Sequence, residues 1–409
     1  MRPISRRRRT WPLNNPPEET AFREVPAHIL FFFPSFQVGG AQRRFVDMIN
    51  AWMGQFRYTF VAADNDFASL RGLKSGITYE TLQVSLPKSS LPNFKALATL
   101  RGLLRRVSPD LLVTLNWGGI EMALANRWVP MAPQVHLEEG FGPEENPDRQ
   151  LSRRIWTRRL ALGGKHQVTV VPSRTLLNLA RERWRLDRVE WIANGIDCER
   201  FARPQKAHSS FRKAPGEVVV GAVGGLRPEK NFQRLIASVA ALSGPPEVRL
   251  VIAGAGPERA RLEQAAKDGG LADRVELLGQ VEDPEALYPL LDIFAVSSDT
   301  EQMPLSMMEA MAAGLPVVAT KVGDIPIMLP AESTRFLANP VGQTCLAPAL
   351  NVLRSDPSLR SRIGEAHQLY AMKHFDFSRM GGRYADLFES LCAKSGVTPI
   401  VARNGCHFR

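Results

Sequence analysis

The sequence predicts an α/β protein built from two doubly wound domains that face each other across a cleft. Three observations predict it. The chain has 409 residues, too many for one ordinary core and enough for two domains of roughly 150–200 residues. Strand-like runs alternate with amphipathic helical ones, the pattern of crossover units on a parallel sheet. And the alternation stops at a polar stretch near residues 202–216, then starts again.

In chain order, residues 1–27 read as a basic, disordered tail, with Arg6–Arg9 as its charge run. Residues 28–201 form the first domain. Its strands are His28–Phe33, Arg57–Ala62, Asp110–Leu115, Gln134–Leu137, Val168–Val171 and Val189–Ala193, rich in Val, Ile, Phe and Thr. Between them Ala41, Phe45, Met48, Ile49 and Trp52 recur at helical spacing, as do Phe94, Leu97, Leu100 and Leu104. Residues 202–216 read as a linker. The second domain, 217–375, has strands at Val218–Val223, Arg249–Ala253, Val275–Leu278, Ile293–Val296 and Pro316–Ala319. A helix over 376–393 is expected to pack back towards the first domain, and 394–409 is a tail.

Composition narrows the class. With 44% hydrophobic and 23% charged residues, the chain is neither disordered nor fibrous. No apolar run approaches the roughly 18–20 residues that span a bilayer, and the Pro- and Glu-rich stretch Trp11–Glu24 is no secretory signal. Four scattered cysteines, Cys198, Cys345, Cys392 and Cys406, contain no CxxC and suit a reducing cytosol. The net charge of +11 is one-sided: residues 1–210 hold 31 Lys and Arg against 19 Asp and Glu, whereas the rest holds 21 against 22. The first half is therefore expected to meet something anionic. The stretch Arg149–Arg188 carries eleven Lys and Arg against Glu182 and Asp187. Within it Arg153, Arg154, Arg158 and Arg159, interleaved with Ile155, Trp156 and Leu160, read as an amphipathic basic helix for a membrane surface or anionic acceptor.

Ligands of such sheets bind beyond the carboxyl ends of strands. Gly39 and Gly40 follow the first strand and open a helix, where free N–H groups favour an anion. Gly224 to Asn231 plays the same part in the second half and carries Arg227 and Lys230 towards the cleft. It is not a P-loop, and Gly254-Ala255-Gly256 fails as a dinucleotide fingerprint because Arg259 replaces the third glycine. Asp64-Asn65-Asp66 reads as a loop rather than a metal site, and the seven histidines show no zinc spacing. His136 ends a strand at the expected cleft edge, where it could bond a substrate hydroxyl. Most informative is Ser297 to Val318: a strand end, a loop with Glu301, a helix from Pro304 carrying Glu309, and a stop at Gly314.

Together these segments resemble family 4 of the retaining glycosyltransferases, the glycosyl transferases group 1. The resemblance covers about residues 28–375. It rests on Gly39-Gly40-Ala41-Gln42, Val170-Val171-Pro172-Ser173, Asn194-Gly195-Ile196-Asp197, Gly224 to Asn231, Leu250 to Pro257 and, above all, Glu301 to Pro316. It implies a GT-B fold of two Rossmann-like domains, the second holding a nucleotide-diphosphate sugar and the first an acceptor. By resemblance, Glu309 contacts the ribose, Glu301 with the backbone of Met303, Pro304 and Leu305 the donor sugar, Lys230 the diphosphate, Gly40 (with Gly39) the diphosphate or reacting centre, and His136 the donor sugar. Three positions depart from the pattern. Gly225 stands where arginine is common, with Arg227 as a substitute; Gln302 stands where glycine is usual; and Val322 to Ile327 has Asp and Ile where Gly and Glu are common.

The implied activity is retaining transfer of a sugar from a UDP- or GDP-sugar to an acceptor hydroxyl, in cell-surface glycan or glycolipid synthesis. The implied partners are that donor substrate and a glycan or lipid-linked acceptor, with an anionic membrane surface open to Arg149–Arg188. No cofactor, metal or nucleic acid is expected, and the place is the cytoplasm or the inner face of the membrane. The alternatives are a GT-B nucleotide-sugar epimerase and a basic nucleic-acid-binding protein.

Overall fold

The computed structural model describes residues 26–86, 93–141, 144–203, 213–214, 216–281 and 283–393. The Arg6–Arg9 run, the tail 394–409 and most of the linker lie outside them. Seven strands form the first sheet: β1 (Ala27–Phe33), β2 (Phe56–Ala62), β3 (Tyr79–Thr81), β4 (Leu111–Leu115), β5 (Gln134–Leu137), β6 (Gln167–Val171) and β7 (Val189–Trp191). Six form the second: β8 (Val218–Val223), β9 (Val248–Ala253), β10 (Val275–Gly279), β11 (Ile293–Val296), β12 (Val317–Thr320) and β13 (Leu337–Ala338). Every pairing within both sheets is parallel. The strand orders are β3-β2-β1-β4-β5-β6-β7 and β10-β9-β8-β11-β12-β13, so each sheet reverses direction beside its first strand.

Helices cover the faces: α1 (Gly40–Ala51), α2 (Phe94–Val107), α3 (Ile120–Arg127), α4 (Ser152–Leu162) and α5 (Arg174–Glu182) in the first half, then α6 (Cys198–Ala202). The second half has α7 (Phe232–Ala240), α8 (Arg259–Asp268), α9 (Leu305–Ala312), α10 (Ala347–Ser355), α11 (Pro357–His374) and α12 (Phe377–Ala393). Among the described residues no helix is long and apolar enough to cross a membrane.

Strands covered on both faces read as unbroken apolar runs; every residue of β1 is buried. The expected strand at Pro316 begins one residue later, because proline has no N–H for the ladder; its carbonyl still accepts from Phe294 at 3.0 Å. Two edge strands, β3 and β13, escape the sequence reading.

α12 belongs to the first domain's core although it is the last element among the described residues. Met380, Tyr384, Leu387, Phe388 and Leu391, spaced along one helix face, pack with Phe31, Phe45 and Trp52. The Phe388 and Trp52 rings lie 5.4 Å apart. The return is anchored where Ile196 N–H donates to Phe375 at 2.8 Å and Phe377 N–H to Ile196 at 2.9 Å.

α11 carries a buried histidine with a pH consequence. His367 is fully buried; its Nδ1 bonds the Leu315 carbonyl and its Nε2 the Ser333 hydroxyl, both at 2.9 Å. Burial pushes its pKa down to about 4. The folded state thus holds the neutral ring while an unfolded chain takes up a proton below about pH 6.5. Stability from this group is complete above pH 6.5 and falls as pH drops towards 4, by about 2 kcal/mol between pH 6.5 and 5. Urea unfolding of wild type and His367→Gln at both pH values checks this: the wild type should lose more stability than the variant.

The basic helix needs correction. The four arginines of α4 do not share a solvated face. Arg158 is 1% exposed and lies against Glu138 at 3.3 Å and Glu145 at 3.2 Å. Its guanidinium carbon stands 4.7 Å from the Trp184 ring centroid and 5.3 Å from that of Trp117. Arg154 pairs with Glu144 and, at 3.3 Å, with Glu145. Their carboxylate partners come from the stretch that follows β5, which turns these two cations inwards; Arg153, Trp156 and Leu160 face out.

Candidate active site

The two sheets present their switch points to each other. The chain leaves β1 through Gly39 into α1, leaves β8 through Gly224–Asn231, and leaves β11 through Ser297–Pro304 into α9. A Cβ placed on Gly40 would stand 3.2 Å from the Leu305 side chain, so the starts of α1 and α9 meet across the cleft. Neither helix has a side-chain cap. Their first-turn N–H groups lack intrahelical partners, and the positive ends of two helix dipoles converge on one place. Gly39 is extended, with φ −161.

Lys230 and Glu301 are brought together, Nζ to Oε1 at 2.6 Å. The Ser298 hydroxyl donates to the same oxygen at 2.7 Å. The two loops are stitched: the Ser297 hydroxyl donates to the Lys230 carbonyl at 2.9 Å and Asp299 N–H to the Glu229 carbonyl at 2.9 Å. Lys230 lies over Gly224, its Cε 3.8 Å from where a Cβ would be. Arg227 stands apart. It pairs with Glu229 at 3.1 Å, folds its guanidine beside Gly225, and with Asn231, Glu258 and Arg261 lines a cavity of about 210 Å³.

Glu309, on α9, accepts the Tyr288 hydroxyl at 2.6 Å. Burial raises its pKa against the opposing pull of that hydroxyl and of Arg43 and Arg200. Burial and the adjacent Glu309 likewise raise that of Tyr288. Sequence reasoning missed Tyr288, since a single tyrosine between short turns carries no pattern.

His136 is corrected. It is not at an open cleft edge but fully buried, bonded through Nδ1 to the Thr114 hydroxyl at 2.8 Å. Its Nε2 lies 3.6 Å from Glu138. Burial alone would raise the Glu138 carboxyl, but Arg158 and His136 outweigh it and hold it below the usual carboxylate range. Asp64 and Asp66 accept the N–H groups of Asp66 and Ala68 at 2.9 and 3.0 Å, ordinary turn bonds. Among the described residues no group of three His, Cys, Asp or Glu is placed to hold a metal.

Two further residues bear on the site: Arg44, which sequence reasoning did not single out, and Asn194, quoted there within a motif but given no role. Arg44, buried on α1, bonds Glu139 at 3.1 Å and also Asn194. Asn194 in turn donates to the Met303 carbonyl at 3.0 Å, fixing the backbone just before Pro304 and Leu305. The Asn194-Gly195 motif was the available signal; Arg44 lies among surface-like charges in sequence.

Comparison with known proteins follows the same two halves. Residues 38–200 match Glycosyltransferase Family 4 and residues 205–369 match Glycosyl transferases group 1. The lipopolysaccharide core biosynthesis glycosyltransferase LpsD of Rhizobium meliloti is 25% identical over 360 residues, 87% of this chain and 96% of that protein. The phosphatidylinositol N-acetylglucosaminyltransferase gpi3 subunit of Schizosaccharomyces pombe is 30% identical over 214 residues, and the match spans 51% of this chain but only 45% of that one. Anabaena Alr3699/HepE, solved with UDP and glucose, shares the fold at a TM-score of 0.73 and 22% identity, over 89% of this chain and all of that one. With its two sheets, its two family matches end to end, and these relatives, the chain belongs to the group 1, family 4 glycosyltransferases of GT-B fold.

Proposed function

We propose that the protein is a retaining transferase that moves a sugar from a UDP- or GDP-sugar to an acceptor hydroxyl, in the synthesis of a cell-surface glycan or glycolipid. One observation carries the reading: Lys230 is held on Glu301 in the loop that leads to the uncapped start of α9, opposite the uncapped start of α1. When the bond from the anomeric carbon to the diphosphate breaks, negative charge develops on the leaving oxygens. A lysine and two helix N-termini are the groups that stabilise such charge in a desolvated cleft. Glu301 and Glu309 supply carboxylates for sugar and ribose hydroxyls, and Arg227, folded beside Gly225, supplies the cation that position 225 lacks. The bound UDP of the Anabaena neighbour supports a nucleotide donor.

A thermal-shift panel of UDP- and GDP-sugars, with DNA as competitor, tests the reading. One nucleotide sugar should raise the melting temperature, DNA should not displace it, and Glu309→Gln should weaken the effect while changing stability by less than about 1 kcal/mol. No shift with any nucleotide sugar, or unfolding of Glu309→Gln, overturns the assignment.

The acceptor side is proposed to meet an anionic membrane through α4. Trp156 and Leu160 are 69% and 49% exposed beside Arg153, and Trp128 and Val129 project at the end of the neighbouring α3. With Arg154 and Arg158 turned inwards, attraction falls to about 1 kcal/mol for each cation left outside. Sedimentation should show binding to anionic but not neutral vesicles, lost in Trp156→Ser/Arg153→Gln. Equal binding to both vesicle types would leave α4 a solvated helix and the acceptor soluble.

A further inference from the structure

The loop after β12 reaches into the first domain at a place the donor-binding reading does not use. Gly323 has φ +55, and a Cβ there would stand 2.0 Å from the Glu301 carbonyl oxygen. Only glycine lets this loop lie flat on the Glu301–Gln302 backbone, where Asp324 N–H donates to the Gln302 carbonyl at 3.1 Å. The Asp324 carboxylate, 4% exposed, then crosses the cleft. It accepts from the N–H groups of Arg174 at 2.6 Å and Thr175 at 3.0 Å, and from the Thr175 hydroxyl at 2.8 Å. The Arg174 guanidinium turns away, over the Trp191 ring. A buried carboxylate is thus satisfied by the first turn of α5 and its dipole. Beside it, the Ser173 hydroxyl donates to Gln302 Oε1 at 2.7 Å while accepting from Leu176 N–H at 3.0 Å. The start of α5 is capped twice, once by its own chain and once by the other domain; α1 and α9 have no side-chain cap. Asp324 and Gln302 are two of the positions at which this chain departs from the family pattern.

We infer that Asp324, with Gln302, is a positioning residue: it clamps the Glu301–Leu305 loop to α5 and so sets the distance between a donor sugar on the second domain and an acceptor on the first. The inference rests on the proposed function only in placing the donor on that loop. Lys230, Glu301, Ser298 and the Tyr288–Glu309 pair lie wholly within the second domain, so removing the clamp leaves these donor contacts in place and loosens only those that come from the start of α1 and from His136. What it loosens is alignment between the two reactants, and a misplacement of about 1 Å can cost roughly a hundredfold in rate.

The test uses the full chain, with Asp324→Ala, Asp324→Asn and Gln302→Ala. Small-angle scattering of the free protein should show a larger radius of gyration in Asp324→Ala, with Asp324→Asn intermediate because it keeps one acceptor for the helix. Calorimetric affinity for the nucleotide sugar should fall only a few-fold, through the contacts made from α1, while kcat falls about ten- to a hundredfold in Asp324→Ala and less in Gln302→Ala. Unchanged scattering in both alanine variants, or donor affinity lost in step with kcat, overturns the clamp. If the wild type binds no nucleotide sugar, the proposed function fails, and scattering still decides the clamp by itself.

Discussion

Replacing Arg158 by methionine is expected to destabilise the protein by about 3–5 kcal/mol, the usual cost of leaving a buried charge without its partner. Methionine fills much of the same volume between Trp117 and Trp184, so the loss isolates the charge. Glu138 and Glu145, both buried, would lose the guanidinium that lies 3.2–3.3 Å from them, and of the two only Glu145 would keep an arginine, Arg154. The sign with pH follows. In wild type the Glu138 carboxyl is held below its ordinary range, so its contribution is present above the unfolded pKa and fades as pH falls. In the variant burial, no longer opposed by Arg158, pushes the Glu138 carboxyl up, and protonation relieves it. The deficit should be largest near pH 7.5 and narrow at pH 5. Denaturant unfolding followed by tryptophan fluorescence measures it, and Arg158→Met combined with Glu138→Gln and Glu145→Gln should recover much of the loss. A deficit below about 1 kcal/mol at pH 7.5 would mean that the cluster is solvated.

The second large effect is functional. Lys230→Ala should weaken donor binding about ten- to a hundredfold, the worth of a charge-assisted contact of about 1.5–3 kcal/mol. In the free protein Lys230 neutralises Glu301. A diphosphate would draw the ammonium towards itself and release the Glu301 carboxylate for sugar hydroxyls, so the alanine variant loses a cation and leaves an anion facing the phosphates. Titrating donor and free nucleoside diphosphate separately checks this. Both affinities should fall, because the lysine would act on the diphosphate; unchanged affinities would remove it from the site.

Much of the architecture was legible because parallel strands announce themselves. Ile29–Phe33 and Val218–Val223 are continuous runs without a charge, stopped by Pro34 and by Gly224 respectively, and each is followed by a helix-period segment. The edge strands were not legible: β3 is three residues, all exposed, and β13 is two, so neither buries enough to leave a pattern. The loops around Lys230, Glu301 and Glu309 were marked by glycine and proline punctuation at strand ends. Their partners Tyr288 and Arg44 were not, since they meet the site only through tertiary contacts, and Asn194 was visible only as part of a motif, without its role. The four arginines of α4 show the limit most plainly. In sequence they resemble a solvated stripe, and only the return of Glu138 and Glu145 from outside the helix makes two of them internal. His136, expected at a cleft edge, is buried for a related reason: the end of a strand in sequence is not the end of its burial.

The return of α12 sets the order in which this protein can be made. The first domain's apolar slot between Phe45, Trp52 and β1 is filled by residues 380–391, which leave the ribosome only after the whole second domain. At about 5–20 residues per second, the roughly 190 residues from the linker to the end of α12 take about 10–40 s to emerge. Throughout that interval the nascent first domain shows an unfilled aromatic groove to solvent and to chaperones. A chain cut after Phe375 would keep it exposed permanently. Supplying the α12 peptide in trans should then rescue solubility, as a missing strand or helix does when its groove is already shaped to receive it.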